Sequence, residues 1–148
     1  MNHRISTITF DEVLPIWKQL WPNRTSPIEP NSAMCHLGGF DMYNMQTKPT
    51  FFAYTVDDKI VGVNSGHMCK HMQYRSRGLY VDPAYRGLHI ARKLLFKTIE
   101  QGKKENAEMC WSYPRKESWM AYSKVGFYLD SNFSQSETGL NAYCSMKI

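Results

Sequence analysis

The chain has 148 residues, enough for one domain with a sizeable core and too few to divide readily into two. At 43% apolar and 21% charged residues it has the composition of a soluble globular protein, and no run of eighteen apolar residues is available to cross a membrane. A net charge of +5 favours polyanionic partners, but no RNP-like, helix-turn-helix or zinc signature accompanies it, so no nucleic acid is expected.

The opening MNHRISTITFDE has no apolar core and no small-residue cleavage site, so no secretory leader is expected. Within it, HRISTI at 3–8 predicts a first strand. TFDE then has the form of a capping box, with Thr9 as cap and Glu12 reaching back. Val13, Ile16, Trp17, Leu20 and Trp21 fall on one helical face, so a helix follows. Pro15 sits deep for a first turn and predicts a late start or a bend. Pro22-Asn23 ends the helix, and the three prolines of 22–32 mark a loop. A second helix is expected over roughly 31–45, interrupted by Gly38-Gly39.

FFAYTV at 51–56 and KIVGVNSGHM at 59–68 predict two strands around an Asp57-Asp58 turn, and QYRSRGLYV at 73–81 predicts a third. A helix fits 88–104, with Ile90, Leu94, Leu95, Thr98 and Ile99 on one face and basic residues opposite. A strand over 107–113 follows. Pro114 suits the first position of a last helix, which stops at Gly126. FYLDSNF and AYCSMKI give a final antiparallel pair, with SETGLN in the connection. This order predicts a single α+β domain spanning residues 1–148, with a mostly antiparallel mixed sheet of about seven strands flanked by about four helices. Cys35, Cys69, Cys110 and Cys144 stand apart, without a CxxC pair or a histidine at ligand spacing. No metal site is expected, and a reduced cytoplasmic protein is the simplest account.

The stretch YVDPAYRGLHIARKLL at 80–95 carries the chemistry. A loop between a strand and a helix start leaves backbone N–H groups without helical partners, and the helix dipole adds to their pull on a phosphate. The turn here is Arg86-Gly87-Leu88-His89-Ile90-Ala91, in which only Gly87 and Ala91 are small.

LYVDPAYRGLHIARKLL resembles the central motif of the GNAT superfamily of N-acetyltransferases. In that family a strand leads to R/Q-x-x-G-x-G/A and then a helix. Arg86 matches the first position and Ala91 the last, while His89 stands where the family normally has glycine. Its imidazole would crowd the pyrophosphate, donate to it, or leave the backbone donors unaffected. AYSKVGF at 121–127 resembles the family segment that closes its last helix, and Tyr122 matches the tyrosine that often serves there as general acid. Arg115 replaces the asparagine common seven residues before that tyrosine.

The resemblance implies a GNAT-like fold and transfer of an acetyl group from acetyl-CoA to a small-molecule or peptide amine by direct attack in a ternary complex. It implies cofactor contacts from Leu79, Tyr80 and Val81 and from Arg86, Gly87, Leu88, His89, Ile90 and Ala91. It also implies Tyr122 as acid toward the thiolate and a backbone N–H between Leu79 and Val81 as oxyanion donor. Tyr80, Glu108, His67 and His71 stay open as the base. Trp17, Trp21, Met34, Phe40, Met42, Tyr43 and Met45 make the expected acceptor region aromatic and Met-rich, though core packing explains such residues as well. The alternative is a degenerate relative that binds CoA, or nothing, and acts by protein contact. An edge strand near the C-terminus is available for pairing into a homodimer, which nothing in the sequence demands.

Overall fold

A computed structural model describes all of residues 1–148. Strand β1 (His3–Ile8) leads into helix α1 (Phe10–Leu20). The capping box forms: Glu12 N–H donates to Thr9 Oγ1 at 3.2 Å, and Thr9 N–H donates to Glu12 Oε1 at 2.9 Å. The helix begins before Pro15 and runs through it. Strands β2 (Thr50–Val56), β3 (Lys59–Cys69) and β4 (Gln73–Val81) form an antiparallel meander. Asp57 and Asp58, at φ 49° and 70°, make the first tight turn, the left-handed pair that a two-residue hairpin requires.

Helix α2 (Ile90–Lys104), strand β5 (Met109–Ser112) and helix α3 (Lys116–Val125) follow. Strands β6 (Tyr128–Leu129), β7 (Ser134–Ser136), β8 (Gly139–Asn141) and β9 (Cys144–Lys147) complete the chain. The main sheet has seven strands in the order β1-β2-β3-β4-β5-β9-β6, and only β4 and β5 run parallel.

Helix α1 packs on one face of the sheet and α2 on the other. Phe51, Ala53 and Val63 meet Val13, Trp17 and Leu20 of α1. Phe52, Tyr54 and Val61 meet Ile90, Leu94, Leu95 and Ile99 of α2, with Tyr122 and Phe127 in the same core. Strand β2 is therefore covered on both sides, which explains its unbroken apolar run.

The sequence expectation needs three changes. There are three α-helices rather than about four. The expected helix over 31–45 is an irregular loop with one 3-10 turn at Met42–Gln46, because Leu37, Gly38 and Gly39 take φ of 66°, 110° and 80° and break any helical path. Its organisers are buried asparagines: Asn31 Nδ2 donates to the carbonyls of Asn44 at 2.7 Å and Thr47 at 2.8 Å, and Asn44 Nδ2 donates to Met34 O at 3.2 Å. The connection around SETGLN is itself a hairpin, β7–β8.

Candidate active site

Strands β4 and β5 pair only at Gln73–Met109, Tyr74–Cys110 and Arg75–Trp111, and then part. Beyond Arg75, β4 carries a bulge. Val63 pairs with Tyr80 and Ser65 with Arg77, so Gly78 and Leu79 together face Asn64. Gly78 sits at φ 78°, and its carbonyl accepts from Trp17 Nε1 at 3.0 Å. A Cβ there would lie 2.2 Å from that indole nitrogen, so the close approach of α1 requires glycine.

After β4, the Asp82 carboxylate caps the short turn at Pro83–Tyr85, accepting from Ala84 N–H at 2.9 Å. Arg86 Nε folds back to donate to Val81 O at 3.1 Å, tying the loop to the strand end. From Gly87 to Arg92, no main-chain N–H finds a backbone or side-chain acceptor; the first that does is Lys93, to His89 O at 3.1 Å. Six consecutive donors thus stand free at the positive end of a fifteen-residue helix. Gly87, at φ 86°, has open space where a side chain would begin.

His89 is the residue before α2 and takes the left-handed conformation, φ 62° and ψ 22°. The position therefore favours glycine, and histidine holds it at a cost. The imidazole is exposed and makes no hydrogen bond, so it leaves the row of amides free. These amides border a cleft of about 490 Å³ between the β4 end, the loop and α3. Leu79, Tyr80, Val81, Arg86, Gly87, His89, Ile90 and Ala91 all line it, whereas Leu88 points elsewhere and is half exposed. Arg92, Arg115 and Lys124 add positive charge against one carboxylate, Glu117.

A second cavity of about 380 Å³ opens on the other side of the split and shares Leu79, Arg115 and Ser118 with the cleft. Tyr122 lines it and is almost fully buried. Its hydroxyl lies 2.8 Å from Ser76 Oγ and 3.1 Å from Ser112 Oγ. Asn64 Nδ2 donates to Ser76 Oγ at 2.9 Å and to Thr98 Oγ1 at 2.8 Å, so the phenol ends a hydrogen-bonded chain reaching into α2, in which only Asn64 Oδ1 lacks a partner. Burial pushes its pKa well above the usual tyrosine range, and the hydrogen bonds to Ser112 and Ser76 pull back part of that. The group stays protonated at neutral pH.

Of the other residues weighed as base, Glu108 and His71 lie where β4 and β5 still meet, away from both cavities. His67 is fully buried, with no hydrogen bond of ordinary geometry at either ring nitrogen. Burial, then Arg75 and Arg77, hold its pKa well below the usual histidine value, against a small opposing effect of the Ser32 main chain. Tyr80 lines the 490 Å³ cleft. Of the expected acceptor residues, Trp21, Met34 and Phe40 line the second cavity, Trp17 stacks behind it, and Met42, Tyr43 and Met45 do not reach it. Sequence reading missed Arg75, Arg77 and the β7–β8 hairpin, which brings Ser136, Glu137 and Thr138 to the rim.

A free-amide cradle beside two parallel strands that separate, with a protonated tyrosine at the fork, suits an acyltransferase of the coenzyme A-dependent class. The assignment is specific. Residues 10–127 match the Acetyltransferase (GNAT) family, and the chain belongs to it. It is an acetyl-CoA-dependent N-acetyltransferase with acetyl-CoA as the acyl donor. No curated protein matches the sequence.

Solved structures share the fold at low identity. An IAA acetyltransferase from Bacillus cereus ATCC 14579 superposes with TM-score 0.75 at 13% identity, covering 99% of this chain and 100% of the other. A GNAT-family acetyltransferase from Staphylococcus aureus Mu50 gives 0.72 at 15%, covering 99% of each. The PaiA N-acetyltransferase of Thermoplasma acidophilum, in complex with coenzyme A, gives 0.68 at 14%, covering 100% of each.

Proposed function

We propose that this enzyme acetylates a primary amine by direct attack, with the cofactor in the 490 Å³ cleft and the amine in the 380 Å³ cavity. The observation that carries this reading is the run of six unsatisfied amides, Gly87 to Arg92, all but that of Leu88 on residues that line a basic cleft. They fit the pyrophosphate of coenzyme A, whose negative charge answers both the N–H groups and the helix dipole. Leu79, Tyr80 and Val81 would flank the pantetheine arm along the strand edge. When bound, acetyl-CoA supplies a thioester already activated toward an amine, so no protein nucleophile is needed, and the four unpaired, buried cysteines remain outside the chemistry.

The chain's own residues position and move protons. Tyr122 holds a proton at the fork and delivers it to the departing thiolate, with Ser76 and Ser112 fixing the phenol oxygen. The bulge at Gly78-Leu79 turns the β4 main chain toward the same point and offers its N–H to the developing oxyanion. Glu137 is the one carboxylate lining the acceptor cavity, and with water it relays the amine proton to solvent. The acceptor is a small molecule or a peptide end that enters beneath the β7–β8 hairpin. The cytoplasm suits the unpaired thiols, and no helix is long and apolar enough to cross a membrane. The short edge strand β6 is where a second copy would pair to form a homodimer.

Titrating acetyl-CoA by calorimetry and thermal shift tests this. At a hundredfold excess over Kd, binding adds about 2.7 kcal/mol, which raises the melting point by roughly 5–10 °C. Thiol release over an amine panel then reads turnover. An unchanged melting point and no bound cofactor would sink the proposal.

A further inference from the structure

The acceptor cavity carries charge that nothing in the protein neutralises. Arg75 and Arg77 alternate along β4 and face the α1 side of the sheet, where both are more than nine-tenths buried. The Arg75 guanidinium lies 5.0 Å from the Trp111 ring centroid, and Arg77 lies 4.8 Å and 5.2 Å from the rings of Trp17 and Trp21. No ion pair reaches either one. Arg75 Nε and Nη1 are buried without an acceptor. Its Nη2 also has no partner but keeps contact with open space. Arg77 donates one hydrogen bond, from Nη1 to Glu29 O at 2.8 Å, and its Nε and Nη2, which make none, keep contact with open space.

Arg24 and Arg115 line the same cavity, giving four guanidinium groups against Glu137 alone. Burial of an unpaired guanidinium costs several kcal/mol and persists where something external supplies the anion. The stacked rings fix each planar fork, the geometry suited to an oxyanion held by two parallel N–H bonds. Burial pushes the pKa of both arginines down, and repulsion adds to it, from Arg24 at Arg75 and from Arg75 and Arg24 at Arg77.

Resting on the placement of the acceptor in this cavity, we propose that the amine substrate also carries an oxyanion, a carboxylate or a phosphate, held by Arg75 and Arg77. Trp21, Met34 and Phe40 provide an apolar wall for the body of such a molecule. An amino acid or other small amino-acid-like zwitterion fits; polyamines and Lys-rich peptides are repelled. With four guanidiniums and one bound anion the local field stays positive, which favours loss of the proton from the attacking amine.

Product-side ligands test this without turnover. Calorimetry in the absence of acetyl-CoA compares the N-acetyl derivatives of alanine, methionine and phenylalanine with their carboxamides, and N-acetyl-O-phosphoethanolamine with N-acetylethanolamine. The expected result is at least one acid binding tenfold or more tightly than its uncharged twin. The carboxylate and phosphate arms show which oxyanion is preferred. In Arg75→Met, whose side chain fills similar volume, the preference falls below twofold, while the melting point and acetyl-CoA affinity hold. Arg75→Lys keeps charge without the fork and recovers only part of it.

If no acid outbinds its uncharged twin in the wild-type protein, the proposal is overturned, whether or not the variants fold. Survival of the preference in folded Arg75→Met also overturns it. If acids bind as expected, acetyl-CoA binds, and yet no amine in the panel releases thiol, the anion site stands and the transferase reading of the cavity is what fails.

Discussion

Replacing His89 with glycine removes the side chain that departs from the family pattern in the phosphate-binding turn, and the backbone strain that comes with it. At φ 62° and ψ 22° an L-residue pays roughly 1–2 kcal/mol relative to right-handed conformations. Glycine gives back about 0.4–1 kcal/mol through the greater freedom of its unfolded chain. The exposed imidazole makes no hydrogen bond, so little else is lost. The balance is a gain of about 0.5–1 kcal/mol, or a melting point higher by roughly 1–4 °C. Because His89 lines the cleft proposed for the cofactor, acetyl-CoA affinity should stay the same or tighten. Differential scanning fluorimetry and calorimetry on the same preparations read both quantities. A lower melting point would refute the strain argument. A higher melting point with affinity down tenfold would make the imidazole a phosphate ligand.

Tyr122→Phe should lower turnover about a hundredfold or more and leave acetyl-CoA Kd within twofold. Stability should drop by only about 1 kcal/mol, since Ser76 keeps Asn64 and Ser112 keeps Ser76 O; matched losses in kcat and affinity would remove the acid role. Gly78→Ala sets a methyl against buried Trp17 at positive φ, and a loss of about 3 kcal/mol or more is expected in a denaturant melt. A melting point within 2 °C of the parent would show that α1 shifts freely. His67 is held neutral in the fold, so the unfolded chain takes up a proton that the native state refuses. Stability from this residue is intact above roughly pH 6.5 and declines below it, by at most about 1.4 kcal/mol per pH unit. Chemical denaturation at pH 7.5 and 5.5 should show a smaller pH slope in His67→Gln, and equal slopes would disprove the linkage.

The sequence shows its periodic elements and its cradle because local chemistry decides them. Thr9 and Glu12 close a box between near neighbours, Asp57-Asp58 turns on its own, and the apolar face of α2 is continuous. The loop over 31–45 was harder to read because Asn31 and Asn44 organise it through carbonyls up to sixteen residues away, while Met34, Met42 and Met45 mimic a helical stripe. The arginines of QYRSRGLYV look like the solvent face of a half-buried strand. Arg77 is inside because Trp17 and Trp21, at the end of a helix some sixty residues earlier, cover it, and Arg75 because Trp111 of β5 does. The alternation was visible and its second covering layer was not. The spacing of Tyr122 from the cradle was legible, whereas the serine pair holding its hydroxyl comes from two different strands.

The three-rung ladder between β4 and β5 leaves one wall common to two compartments. Leu79, Arg115 and Ser118 each face both the 490 Å³ cleft and the 380 Å³ cavity, so whatever settles against that wall on one side sets part of the surface met on the other.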